Sequence, residues 1–139
     1  MKNKYLLSSK QYYTLFVICT LCIITLLLLP MSAFSHTPRI VLWKHSDKVV
    51  HFIMFFGESW LLFRSIEFMK NYSFKKISRI VLLSIFFFGL ITEILQGLTY
   101  NTAHRKFSLW DLLFDVLASI VVVIVINILS TRLKAKRFF

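Results

Sequence analysis

The sequence predicts an all-α, polytopic membrane protein with four transmembrane helices and both termini in the cytoplasm. Three observations carry this expectation. Hydrophobic residues make up 58% of the 139-residue chain, above the roughly 45–50% of a soluble domain. They fall into four long runs with few charges, separated by short polar connections. The basic residues, in a net charge of +11, gather in those connections and at the two ends. In a soluble chain such a charge would point to nucleic acid. Between apolar runs of membrane length it fits contact with anionic lipid headgroups, so no nucleic-acid partner is expected.

The length fits one domain. Residues 1–10 form a basic start with Lys2, Lys4 and Lys10. The first span covers 11–29, has no charge and stops before Pro30. As a helix it reaches about 28 Å, enough to cross the hydrocarbon. A rival reading is a cleaved signal peptide, because a basic start precedes the run and Ala33-Phe34-Ser35 resembles a cleavage site. The run is longer than the roughly 7–15 residues of a signal core, which favours a retained helix. Cys19 and Cys22 have CxxC spacing inside this run. No second ligand pair accompanies them, so they read as small hydrophobes rather than a metal or redox site. Leu21 precedes Cys22 where a lipoprotein signal needs a small residue.

A polar connection follows, with His36, Pro38, Trp43 and His45. Trp43 suits the headgroup belt. The second span, 47–63, is the least apolar of the four and contains Asp47, His51 and Glu58. A basic connection over 64–79 carries Arg64, Lys70, Lys75, Lys76 and Arg79. The third span, 80–100, is uncharged until Glu93, and a short loop with His104, Arg105 and Lys106 leads to Ser108. The fourth span, 109–131, is uncharged after Asp115 and rich in Val and Ile. Residues 132–139 form a basic tail with Arg132, Lys134, Lys136 and Arg137.

Orientation follows from where the basic residues lie. The start, the 64–79 connection and the tail hold most of the 17 Lys and Arg. The other two connections hold only Arg39, Lys44, Lys48, Arg105 and Lys106. The positive-inside rule then puts both termini in the cytoplasm. The second span begins outside, the third ends there and the fourth begins there. At 1.5 Å per residue, Glu93 lies about 10 Å and Asp115 about 9 Å below the outer boundary.

Acids are costly in a bilayer and are functional candidates by default. Asp47, His51 and Glu58 are spaced by four and seven, Glu93 and Gln96 by three, and Ser108, Asp111 and Asp115 by three and four. Each set therefore lines one stripe of its helix. The expected site is an outer polar pocket of Asp47, Lys48, His51, Glu93, Gln96, Arg105, Ser108, Asp111 and Asp115. Arg105, Lys48 and His104 are its candidate cations. Glu58 stands apart near mid-membrane without a clear partner, or lines the deep end of the pocket. A structural reading of the same residues is that they hold the bundle together. Asp111 would pair with Arg105, Glu93 would accept from Gln96 or His51, and Ser108 with Asp111 would form a capping box built on Asp.

Asp47-Lys48-x-x-His51, then Glu93-x-x-Gln96, then Arg105-x-x-Ser108-x-x-Asp111 resemble, in that order, the VanZ-like family of small bacterial membrane proteins. The resemblance covers roughly residues 46–119. Where the family continues with an Asn and a Gly, this chain has Asp115 and Ala118. The resemblance implies a multi-helix protein of the bacterial plasma membrane, and its namesake is associated with low-level resistance to the glycopeptide teicoplanin.

Three functions compete. The first is a binding protein of the cell envelope whose partners are membrane lipids and a lipid-linked cell-wall precursor. Arg105 and Lys48 would hold a phosphate or carboxylate, and the acids would hold amines or hydroxyls. The second is an intramembrane enzyme acting on lipid-linked substrates. There His51, Glu93 and Asp111 would hold a divalent metal, or His51 would be a general base oriented by a carboxylate. No HExxH or cofactor motif is present, so no cofactor and no metal are expected under the first function. The third is a proton or ion path through Glu58, which the apolar inner halves of the third and fourth spans disfavour.

Overall fold

The computed structural model describes residues 7–29, 46–69, 72–100 and 106–135. They form four helices: α1 Ser9–Leu28, α2 Ser46–Met69, α3 Phe74–Leu98 and α4 Leu109–Ala135. All four are long and apolar enough to cross a membrane, and the described residues include no strand. Trp43, His36, His45 and His104 lie outside the described residues.

The bundle centres on α2. It packs against α4 and α1 most extensively and against α3 less, while α3 also packs against α4 and α1. The buried residues of α3 are Ile77, Ser78, Val81, Ile85, Gly89, Thr92, Glu93 and Gln96. Their spacing of three and four makes one stripe. Leu83, Phe87 and Ile91 lie on the opposite face and are exposed. Outward apolar side chains of this kind on all four helices contact lipid. The inward stripes change character along their length. In α3 the early positions are aliphatic apart from Ser78, and the late ones are Thr92, Glu93 and Gln96. In α4 the polar Asp111 and Asp115 come first, and Ala118, Val122 and Ile126 follow. Polar side chains therefore collect at one end, where α2 and α4 begin and α3 finishes. An apolar core of Ile23, Phe55, Phe63, Ile77, Val81, Ile85, Ala118, Val122 and Ile126 occupies most of the rest, with Glu58, Ser59, Ser65 and Ser78 buried outside the polar end.

Two boundaries differ from expectation. The 64–79 connection is mostly helical, because α2 continues to Met69 and α3 already begins at Phe74. The cause is local. No Gly or Pro interrupts 64–79, and Arg64 donates to Glu67 at 2.6 Å, an i, i+3 pair on the helix surface. The Arg64 guanidinium also lies 5.3 Å from the centre of the Trp60 ring. Charges mark where the hydrocarbon ends, and a helix need not end there.

α1 begins with a capping box, in which Ser8 Oγ accepts from Gln11 N and Gln11 Oε1 accepts from Ser8 N. Among the described residues, two side-chain hydrogen bonds then fasten it to the bundle. Gln96 Nε2 donates to the Leu27 carbonyl at 3.0 Å. That carbonyl belongs to the last turn, where helix geometry leaves acceptors without a partner. The Thr20 hydroxyl makes a short hydrogen bond to Glu58 Oε1. Glu58 is buried and thus has a partner after all, contrary to the sequence expectation. Its other oxygen, Oε2, has no hydrogen-bond partner. Cys19 is half-buried beside the same carboxylate, whereas Cys22 is exposed, and both are free thiols.

Thr20→Val keeps the shape of the side chain and removes the donor to Glu58. A buried acceptor left unpaired costs about 1–2 kcal/mol. Unfolding of the detergent-solubilised protein, followed by tryptophan fluorescence, should show a loss of that size. No loss would mean that α1 does not hold Glu58.

Candidate functional site

The polar end of the bundle is built from three helices. α2 contributes Lys48 and His51 in its first two turns, α3 contributes Glu93 near its end, and α4 contributes Asp111 and Asp115 from its first two turns. His51, Glu93, Asp111 and Asp115 are all buried.

His51 Nδ1 lies 3.1 Å from Asp115 Oδ1. The His51 ring is stacked on Phe55, one turn further along α2, with 5° between the planes. The imidazole is thus fixed by an aromatic wall behind it and a carboxylate in front. Asp115 belongs to the opposite helix, and α3 leaves room for it at Gly89. A Cβ at Gly89 would sit 3.0 Å from Asp115 Oδ2 and 3.1 Å from Leu112 Cδ1. The absent side chain allows α3 and α4 to approach at this level, as small residues do between membrane helices.

Glu93 is tied to the start of α4. Its Oε2 accepts from the Ser108 backbone N–H at 2.7 Å. Ser108 is the N-cap residue, and its Oγ accepts from Asp111 N at 3.3 Å. This is one half of the expected capping box. The other half differs, because the N–H that Asp111 was expected to take goes across to Glu93. A carboxylate at a helix N-terminus also meets the positive end of the helix dipole. The close return of the chain makes the contact possible, with Phe107 packed so near Gly97 that a Cβ there would lie 3.3 Å from Phe107 Cβ.

Asp111 faces α2. Its Oδ1 lies 3.6 Å from Lys48 Nζ, an ion pair too long for a hydrogen bond. The pair is the more exposed rim of the cluster. Arg105, the partner expected for Asp111, lies outside the described residues, as does the side chain of Asp47. Gln96 shares the buried face with Glu93, but its amide is turned to α1 through Leu27. The hydrogen-bond partner of Glu93 is Ser108 N, not the Gln96 or His51 that the sequence suggested.

His51, Glu93 and Asp115 form the innermost group. One ligand atom from each lies within 4.8 Å of the other two. The sequence assigned Asp111 to this place beside His51 and Glu93, and the structure puts Asp115 there. Glu93 Oε1, Asp111 Oδ1 and Asp115 Oδ2 are buried without a hydrogen-bond partner. Ser119, one turn beyond Asp115, is buried with its Oγ in the same condition and was not anticipated. Buried carboxylate oxygens without donors are costly. Three of the four such oxygens among the described residues collect at one end of the bundle, the fourth being Glu58 Oε2, and that marks the end as a place for donors or cations.

Fold and site together define a multi-pass helical membrane protein with a buried carboxylate–imidazole cluster at one end of its bundle. Compared with family models, curated proteins and solved structures, the chain has no match in any of the three.

Proposed function

We propose that this chain is a VanZ-like protein of the bacterial plasma membrane whose polar end faces outward and binds the headgroup of a lipid or lipid-linked cell-wall precursor. Binding there would lower susceptibility to glycopeptides such as teicoplanin. One observation carries the reading, namely the three buried carboxylate oxygens without donors on Glu93, Asp111 and Asp115. Amine and hydroxyl groups of a headgroup are the donors they lack. Lys48 at the rim and Arg105 in the adjoining loop supply charge for a phosphate. The positive-inside count supports the outward orientation, and the ordered match of Asp47-Lys48-x-x-His51, Glu93-x-x-Gln96 and Arg105-x-x-Ser108-x-x-Asp111 supports the family.

The test is native mass spectrometry of the gently purified protein, wild type beside Arg105→Ala and Glu93→Gln. Gln can still accept from Ser108 N, so Glu93→Gln keeps the helix contact and should reach the membrane in normal amount. A specific lipid retained by the wild type and lost from Arg105→Ala is expected. Identical lipid complements in all three folded proteins would contradict headgroup binding.

A second reading, an intramembrane enzyme on lipid-linked substrates, is favoured by the His51–Asp115 contact, since a carboxylate orients an imidazole for general-base work. It separates from the first by Glu93→Gln. An enzyme loses turnover with that change while still holding lipid.

A further inference from the structure

We infer that His51, Glu93 and Asp115 form a binding site for one divalent first-row metal ion such as Zn²⁺ or Mn²⁺. The inference goes beyond headgroup binding and does not rest on it.

Each residue offers a suitable donor. Imidazole nitrogen and carboxylate oxygen are the usual ligands of Zn²⁺ outside all-cysteine sites, and carboxylates also suit Mn²⁺. Three protein ligands with a position left open is the pattern of sites that hold a water or substrate. The spacing is close to what a metal needs. With bonds of about 2.0–2.2 Å, ligand atoms of a tetrahedral site lie roughly 3.4 Å apart. His51 Nδ1 and Asp115 Oδ1 are already 3.1 Å apart. All three donors lie within 4.8 Å of one another, so about an ångström of side-chain movement completes the set.

The surroundings are those of a built site. His51 is 3% exposed, and Glu93 and Asp115 are 0% exposed. Both carboxylates keep one oxygen, Glu93 Oε1 and Asp115 Oδ2, without a hydrogen-bond partner. Glu93 is held through its other oxygen by Ser108 N, as carboxylate ligands commonly are. The His51 ring is held by Phe55. Two buried carboxylates side by side repel each other, and no lysine or arginine among the described residues forms an ion pair with either. A dication would offset that repulsion in a medium of low dielectric.

The experiment uses the full chain in detergent, stripped of metal and then equilibrated with Zn²⁺ or Mn²⁺. Bound metal is read by elemental mass spectrometry and the melting temperature is read in parallel. Wild type, Glu93→Gln, Asp115→Asn and Glu58→Gln are compared. The first two variants are near-isosteric and should fold, and Glu58→Gln removes a buried acid outside the cluster. The expected result is one ion per chain in wild type and in Glu58→Gln, with a rise in melting temperature. Binding should be at least about tenfold weaker in Glu93→Gln and in Asp115→Asn. Uptake unchanged by Glu93→Gln and Asp115→Asn would overturn the site. So would folded wild type that takes up neither ion.

Discussion

His51→Leu is expected to destabilise the protein by about 3–5 kcal/mol, because it strips Asp115 of its partner inside the bundle. Asp115 is fully buried, and its Oδ2 already lacks a donor. Without His51 the whole carboxylate would be left unpaired in a medium of low dielectric. The double change His51→Leu with Asp115→Leu removes both members. Replacing a buried pair by apolar groups is often neutral or stabilising, so the double variant should regain most of the loss. Unfolding measured for the two single variants and the double variant gives the coupling directly. If the cluster exists for function, the double variant is stable and abundant yet has no lipid or metal binding. A double variant as unstable as the single ones would mean that the pair is not a closed unit.

Gly89→Leu is expected to be comparably damaging, at about 3 kcal/mol or more, through overpacking. Even the first carbon of a side chain at this position would press on Asp115 Oδ2 and Leu112 Cδ1. Asp115 is short and enclosed, so it cannot swing away as a long flexible side chain would. A leucine forces α3 and α4 apart at the level of Glu93 and His51. Gly89→Ala grades the effect, because its single methyl needs only a few tenths of an ångström. Amounts of folded protein in the membrane, with melting temperature, should fall from wild type through Ala to Leu. Equal values for Gly89→Leu and wild type would place α3 and α4 further apart than described.

Much of this architecture is legible in the sequence. The four apolar runs become four helices because backbone polar groups in lipid must be satisfied within the segment. The second run was legible despite His51 and Glu58, since their spacing keeps both on the inward stripe. Its end was not legible. Arg64 and Glu67 look like a connection by hydropathy, but they bond to each other on a helix that continues.

The site was legible as a set of residues and not as a set of pairs. Periodicity places Asp111 and Asp115 on one stripe of α4 but does not say which of them reaches His51. Relative depth and the gap at Gly89 decide for Asp115, and Lys48 takes Asp111. The partners of Glu93 and Gln96 are backbone groups, Ser108 N and Leu27 O, which carry no side-chain signal. One signal was available. Gly89 follows three phenylalanines and lies one turn before Glu93. A lone glycine in so bulky a segment marks a close approach of helices.

Every reading of this site depends on α2 and α4 meeting at their first turns. The most direct test is cross-linking of Lys48→Cys with Asp111→Cys, in a chain whose Cys19 and Cys22 are replaced by alanine. The two native side chains meet at the rim, so cysteines there leave the innermost group of His51, Glu93 and Asp115 in place. A short bifunctional thiol reagent is applied in membranes, and the intact mass is measured. A bridged mass is expected for this pair and not for Lys48→Cys with Ser130→Cys, at the far end of α4. Equal bridging in both pairs, or none in the first, would contradict the site.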